Sequence, residues 1–147
     1  MESDLDINRI EIFLRDIEKN LSELEQYVSV PIEDFLSNSM RIKASFMCIL
    51  QIVEASVNIG LYILRKIFGE EARGYVDVFK RLGEKRVLSL KVSEGMQRLA
   101  RLRNLILHRY WEIDAKRFYE EARGSGLGII KDSIEEVRDH VRRYRRA

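Results

Sequence analysis

Residues 40–68 read MRIKASFMCILQIVEASVNIGLYILRKIF, a stretch with no proline and a single glycine. Its apolar side chains (Phe46 to Leu50, Ile52, Val53, Val57, Ile59, Leu61, Ile63 and Leu64) are too dense to occupy one stripe of a helix. At about 100° per residue they fall on several sides. A helix apolar nearly all round must be covered on more than one face, so this segment predicts the central core helix of a helical bundle. Gly69 follows it as the C-cap.

The flanking segments keep the helical period. Upstream, Leu5, Ile10, Phe13, Leu14, Ile17, Leu21, Leu24 and Val28 recur at threes and fours and predict a first helix from Asp6 to Tyr27. Pro31 ends any continuation and opens a short helix, Ile32 to Leu36, after which Ser37-Asn38-Ser39 supply cap chemistry for the core helix. Downstream, a short helix from Tyr75 to Leu82 is expected to stop at Gly83, and a longer one to start near Ser89 or Ser93 and run to Arg109. Its Gly95 marks either close packing or a weakened first turn. Asp114 can cap a further helix through Phe118 and Tyr119, which Gly124-Ser125-Gly126 with Gly128 breaks into two pieces or a loop. The last amphipathic helix is Ile129 to Arg146. No stretch alternates as a strand would. The expected fold is all-α, an up-and-down bundle of four to five helices in one domain spanning 1–147.

At 46% hydrophobic and 34% charged residues the chain has the composition of a soluble globular protein. The expected location is the cytoplasm, with no membrane. No apolar run approaches the roughly 18 residues a span needs, and the N-terminal MESDLDINRIEIF is acidic where a signal peptide would be basic and then apolar. Cys48, the sole cysteine, lies in the run FMCIL and reads as buried filler. His108 and His140 are a whole helix apart without cysteine partners, so no metal site and no cofactor is expected. The net charge of +2 hides an asymmetry: −7 over residues 1–34, +4 over 35–97 and +5 over 98–147. Arg98, Arg101, Arg103 and Arg109 with the tail Arg142, Arg143, Arg145 and Arg146 form a cationic third. It suits a polyanion such as RNA, or equally a solvated face with cations at a helix C-terminus.

Residues 99–114, LARLRNLILHRYWEID, concentrate the side chains that can do chemistry. On a continuous helix Asn104 and His108 (i, i+4) share one line, and Arg103 and Tyr110 (i, i+7) a neighbouring one, so the four form a polar wedge. Leu99, Leu102, Leu105 and Ile106 take the remaining arc. Guanidinium, amide, imidazole and phenol on one surface suit a phosphate-bearing ligand. Taken by spacing alone, ordinary surface polarity is the simpler reading.

The string R-N-x-x-x-H-x-Y followed by I-D, here Arg103-Asn104, His108, Tyr110 and Ile113-Asp114, resembles the signature of the HEPN superfamily, and more narrowly the HepT-type toxins. Gln51, Glu54 and Asn58 in the core helix, and Gly69, Tyr75 and Phe79 after it, extend the resemblance over most of the chain. It implies a small all-helical ribonuclease that works without metal and is encoded beside a minimal nucleotidyltransferase antitoxin. By the same resemblance Arg103 binds the scissile phosphate, His108 acts as acid or base, Asn104 orients phosphate or imidazole, and Tyr110 receives AMP from the antitoxin. The implied site is composite, at a homodimer interface, with higher assembly left open. Group counting agrees: cleavage by the 2′-hydroxyl needs one group to take a proton and another to give one, and an isologous dimer supplies two copies of His108 and Arg103. Leu107, inside the wedge, suits a dimer contact. Glu54 and Asn58 read as an ordinary buried polar pair rather than as support for the site. The other function class is a catalytically inactive HEPN subunit that presents substrate to a nucleotidyltransferase. The intact arginine and histidine favour the enzyme.

Overall fold

The structure, a computed structural model, describes residues 5–146. Seven α-helical segments follow one another: α1 (Ile7–Tyr27), α2 (Ile32–Leu36), α3 (Ser39–Phe68), α4 (Tyr75–Glu84), α5 (Leu90–Arg109), α6 (Ala115–Glu121) and α7 (Leu127–Arg146), with no strand among the described residues. The four long helices α1, α3, α5 and α7 make the expected all-α bundle. The short α2, α4 and α6 fill its corners.

Helix starts are fixed by side-chain caps at the expected places. Asp6 accepts from the Arg9 amide at 3.1 Å, Asn38 from Arg41 at 3.0 Å, Ser89 from Val92 at 3.3 Å, and Asp114 from Lys116 and Arg117. Each satisfies an amide the helix leaves orphaned. Gly69 ends α3 at φ 63°, in the left-handed region where a side chain would be strained. Helix α3 is the central element, burying Phe46, Ile49, Ile52, Val53, Val57, Ile63 and Leu64 against α1, α4 and α5. One 18-residue window of it reaches a mean hydropathy of 1.7, long and apolar enough by composition to cross a membrane. That exceeds the sequence expectation, and the neighbouring helices account for it: the apolar residues are core. Cys48 lies in that core, where burial pushes its thiol up to about 11.

Two glycine readings are corrected. Gly83 does not stop α4, which runs on to Glu84. A Cβ at Gly83 would stand 2.5 Å from Ser93 Oγ, so the glycine serves the close crossing of α4 on α5. The turn comes later, with Arg86 at φ 62°. Gly124-Ser125-Gly126 does not break the chain either: residues 122–126 form a π-helical turn that joins α6 to α7 directly. Tertiary anchors override the low helix propensity of glycine here. Tyr119 OH donates to Val30 O at 2.6 Å and Arg123 Nη1 to Val28 O at 2.8 Å. Gly95, left open by the sequence, marks close packing, since a Cβ there would meet Ile129 Cγ2 at 2.7 Å.

Helix α7 runs antiparallel to α5, with Glu136 bonded to Ser89 at the start of α5. Arg138 ties it to α1 through four hydrogen bonds to Glu11 and Glu18 at 2.8–3.1 Å. This topology divides the cationic third. With a rise of about 1.5 Å per residue, Arg142, Arg143 and Arg145 lie beyond the N-terminus of α5, more than ~30 Å from His108. Arg146's side chain lies outside the described residues. The tail is therefore not one patch with the motif.

Candidate functional site

The second half of α5, the N-terminus of α4 and the middle of α3 meet around one arginine. Arg103 is largely enclosed, with a side chain 20% exposed. Its guanidinium lies over the Tyr75 ring, Cζ 4.1 Å from the centroid. Nη1 donates to Asn104 Oδ1 at 3.0 Å. Glu54 Oε1 is 3.8 Å from Nη2 and accepts from Tyr75 OH at 2.7 Å. The bond to Glu54, reinforced by partial burial, raises the Tyr75 pKa above its ordinary value, so the phenol is a donor at neutral pH.

Of the four residues singled out in the sequence, Arg103 and Asn104 are brought together and the other two stand apart. His108 is exposed one turn beyond Asn104. Going five residues along an α-helix turns about 500°, which leaves imidazole and guanidinium roughly 140° apart round the axis. Tyr110 is not on the α5 surface at all. Arg109 leaves helical geometry at φ −149°, ψ 45°, and residues 110–112 form a 3-10 turn, so the (i, i+7) line from Arg103 to Tyr110 is broken. Tyr110 is 54% exposed with its ring edge-on to Trp111 at 5.4 Å, and Trp111 is 68% exposed. Leu107, also exposed, lies between them and Asn104 along the helix.

Glu54 corrects another expectation. It is not half of a buried polar pair: its side chain is 52% exposed and its partners are Tyr75 and Arg103, while Asn58 is only half-buried. A signal was available. Met40, Met47 and Glu54, at sevenfold spacing, form the exposed line of α3, and a carboxylate on that line faces outward. Tyr75, the first residue of α4, carried no comparable signal beyond its place in the family pattern.

On the flank of α5 away from Asn104 and His108 lies a cavity of about 460 Å³, lined by Leu99, Leu102, Leu105, Phe118, Leu127 and Ile130. It explains why the three leucines are only partly buried. Arg98, Arg117 and Glu121 stand at its rim.

The chain is similar to known proteins in sequence and in fold. The family described as Ribonuclease HepT-like matches residues 17–143. A protein of Archaeoglobus fulgidus named "Putative RNase" is 26% identical over 135 residues, covering 88% of this chain and 85% of that one. Among solved structures, a toxin–antitoxin complex with AMP-PNP superposes with a TM-score of 0.82 at 15% identity, over 90% of this chain and 98% of that one. A tri-AMPylated HEPN toxin of Shewanella oneidensis in complex with its MNT antitoxin gives 0.81 at 17% identity, over 89% and 97%. At such identities the structural likeness establishes the fold.

Proposed function

The chain belongs to the HepT-like ribonuclease family, and on that premise we propose that it is a metal-independent endoribonuclease toxin, silenced when a partner nucleotidyltransferase transfers AMP to Tyr110. The observation that carries the reading is Arg103: an enclosed guanidinium, held by its face and one edge, with most of its five N–H groups uncommitted. Such a group fits the phosphate at which negative charge builds up during transfer.

In this reaction the 2′-hydroxyl of the substrate attacks the adjacent phosphorus. One His108 accepts the hydroxyl proton. The P–O5′ bond breaks as a second imidazole protonates the leaving oxygen, giving a cyclic phosphate and a free 5′-hydroxyl. The two roles need two histidines, and one chain offers one at the motif, about 140° round the helix from its own arginine. A homodimer facing α5 against its symmetry mate provides the pair in one cleft. Leu107, an exposed apolar side chain on α5, supports such a contact. Asn104, bonded to Arg103, orients the guanidinium.

Tyr110 suits modification because its ring stands in solvent past the helix end. Its hydroxyl oxygen attacks the α-phosphorus of ATP, pyrophosphate leaves, and the phenol proton passes to solvent. The added nucleotide is bulky and anionic beside a cleft built for phosphate, so it blocks RNA by volume and by charge.

The test uses the purified chain, labelled single-stranded RNA and excess EDTA. Cleavage is expected with chelator present. His108→Ala should lose about 10²-fold or more in rate while melting with the parent, because the ring is exposed. Tyr110→Phe should still cleave yet escape silencing by the partner nucleotidyltransferase and ATP. Activity that vanishes with EDTA and returns with magnesium overturns the mechanism. Binding without cleavage identifies a substrate-presenting subunit instead.

A further inference from the structure

Arg103 has a carboxylate nearby that does not hydrogen-bond to it. Glu54 Oε1 is 3.8 Å from Nη2, close enough to attract and too far to take up an N–H. The same oxygen accepts from Tyr75 OH at 2.7 Å. At a comparably enclosed arginine the neighbouring glutamates close fully, whereas exposed pairs such as Arg109–Glu112 stand open at 3.9 Å: Arg138 makes four hydrogen bonds to Glu11 and Glu18 at 2.8–3.1 Å. Glu54, with a side chain 52% exposed, has the exposure and side-chain length to do likewise. What sets Glu54 apart from Glu11 and Glu18 is its bond to the phenol.

We infer that Tyr75 is a positioning residue whose hydroxyl holds Glu54 off Arg103 and so keeps the guanidinium open for an RNA phosphate. The inference rests on the phosphate-binding role proposed above for Arg103. Tyr75 does two things at once. Its ring face supports the guanidinium from below, and its hydroxyl restrains the only carboxylate recorded against that guanidinium among the described residues. Remove the hydroxyl and Glu54 has about 1 Å to travel to a charge-assisted hydrogen bond of the usual ~2.8 Å. The incoming phosphate would then have to displace it. Because the hydrogen bond that Glu54 accepts keeps the phenol protonated, the restraint operates across the neutral range.

Tyr75→Phe isolates the hydroxyl, since it keeps the ring under Arg103. Expected are a KM for single-stranded RNA raised about 10-fold, a weaker Kd for a non-cleavable 2′-deoxy oligonucleotide by the same factor, and a kcat changed far less, because the competing carboxylate acts on binding. A 10-fold change is what one charge-assisted bond in competition supplies. The decisive measurement is rescue. Tyr75→Phe combined with Glu54→Ala should return KM and Kd to near the parent values, which a merely structural role for Tyr75 does not predict. A crystal structure of the Tyr75→Phe protein should show Glu54 within 3.2 Å of Arg103. Parent-like KM in Tyr75→Phe, or a double variant no better than the single one, overturns the inference. A parent protein that neither binds nor cleaves RNA overturns the functional reading alone, and the crystallographic distance then still decides whether the hydroxyl is the restraint.

Discussion

Two arginines are held at nearly the same depth, Arg138 with a side chain 25% exposed and Arg103 with one 20% exposed, and their surroundings could hardly differ more. At the α1–α7 seam Arg138 is met edge-on by two carboxylates that use its N–H groups. At the junction of α3, α4 and α5, Arg103 is met on its face by a tyrosine and at one edge by an amide. Hydrogen bonds consume donors; a ring beneath the plane consumes none. The seam has spent its arginine on joining helices. The junction has fixed one in place and left most of its N–H groups free, so burial alone does not tell how an arginine's donors are used.

The comparison breaks first if the two residues fail to separate activity from stability. Arg103→Ala is expected to lower kcat/KM for RNA by about 10²-fold or more, the scale for removing a donor to a developing oxyanion, with little change in melting temperature. Arg138→Met should do the reverse. It should cost about 1–2 kcal/mol in denaturant unfolding, the range of a partly exposed ion network, with unchanged turnover per folded molecule. If Arg138→Met lowers turnover, the seam is not merely structural.

A third measurement sharpens the seam by pH. Hydrogen bonds from Arg138 hold the Glu11 and Glu18 carboxyls below their ordinary pKa of 4.5. The stability they contribute is therefore present above that value and lost as pH falls through the lower folded values. Arg138→Met should flatten this acid limb, modestly, because Glu18 is 44% exposed. The smallest effect concerns His140, whose Nε2 is buried without a partner among the described residues, beside Phe68. Burial, and then Arg143, lower its pKa below 6.5. Below pH 6.5 the unfolded chain takes up a proton that the folded one resists, so stability falls as pH drops. His140→Leu should abolish that slope and gain less than about 1 kcal/mol at neutral pH.

Most of the fold was legible because it depends on local signals. Asp6, Asn38, Ser89 and Asp114 cap their helices, and the density of residues 40–68 marks α3 as core. What misled was residue types whose meaning depends on a distant neighbour. Gly83 signals a stop until Ser93 is seen against it, and the glycines of 124–128 signal a loop until Tyr119 and Arg123 are seen anchored to the end of α1. The candidate site followed the same rule. Arg103 and Asn104 are neighbours in sequence and remain so in space. The wedge failed at Tyr110 because nothing in a periodic pattern reports a single non-helical residue such as Arg109. Tyr75 and Glu54 reach Arg103 from 28 and 49 positions away, a separation no motif spans.

The close crossings of α5 also set how its far end can move. Gly83 against Ser93 and Gly95 against Ile129 grip the helix from two sides within its first two turns. His108 stands about 20 Å further along, past three leucines that border an open cavity. Mechanically α5 is a cantilever, clamped near its root and propped part-way by Ile106 and by Arg103 on Tyr75. A tilt of about 5° at the clamp swings the tip by roughly 1.7 Å over that arm length, enough to carry an imidazole into or out of hydrogen-bond reach. The methyl group that either glycine lacks would therefore register at the opposite end of the lever, at His108.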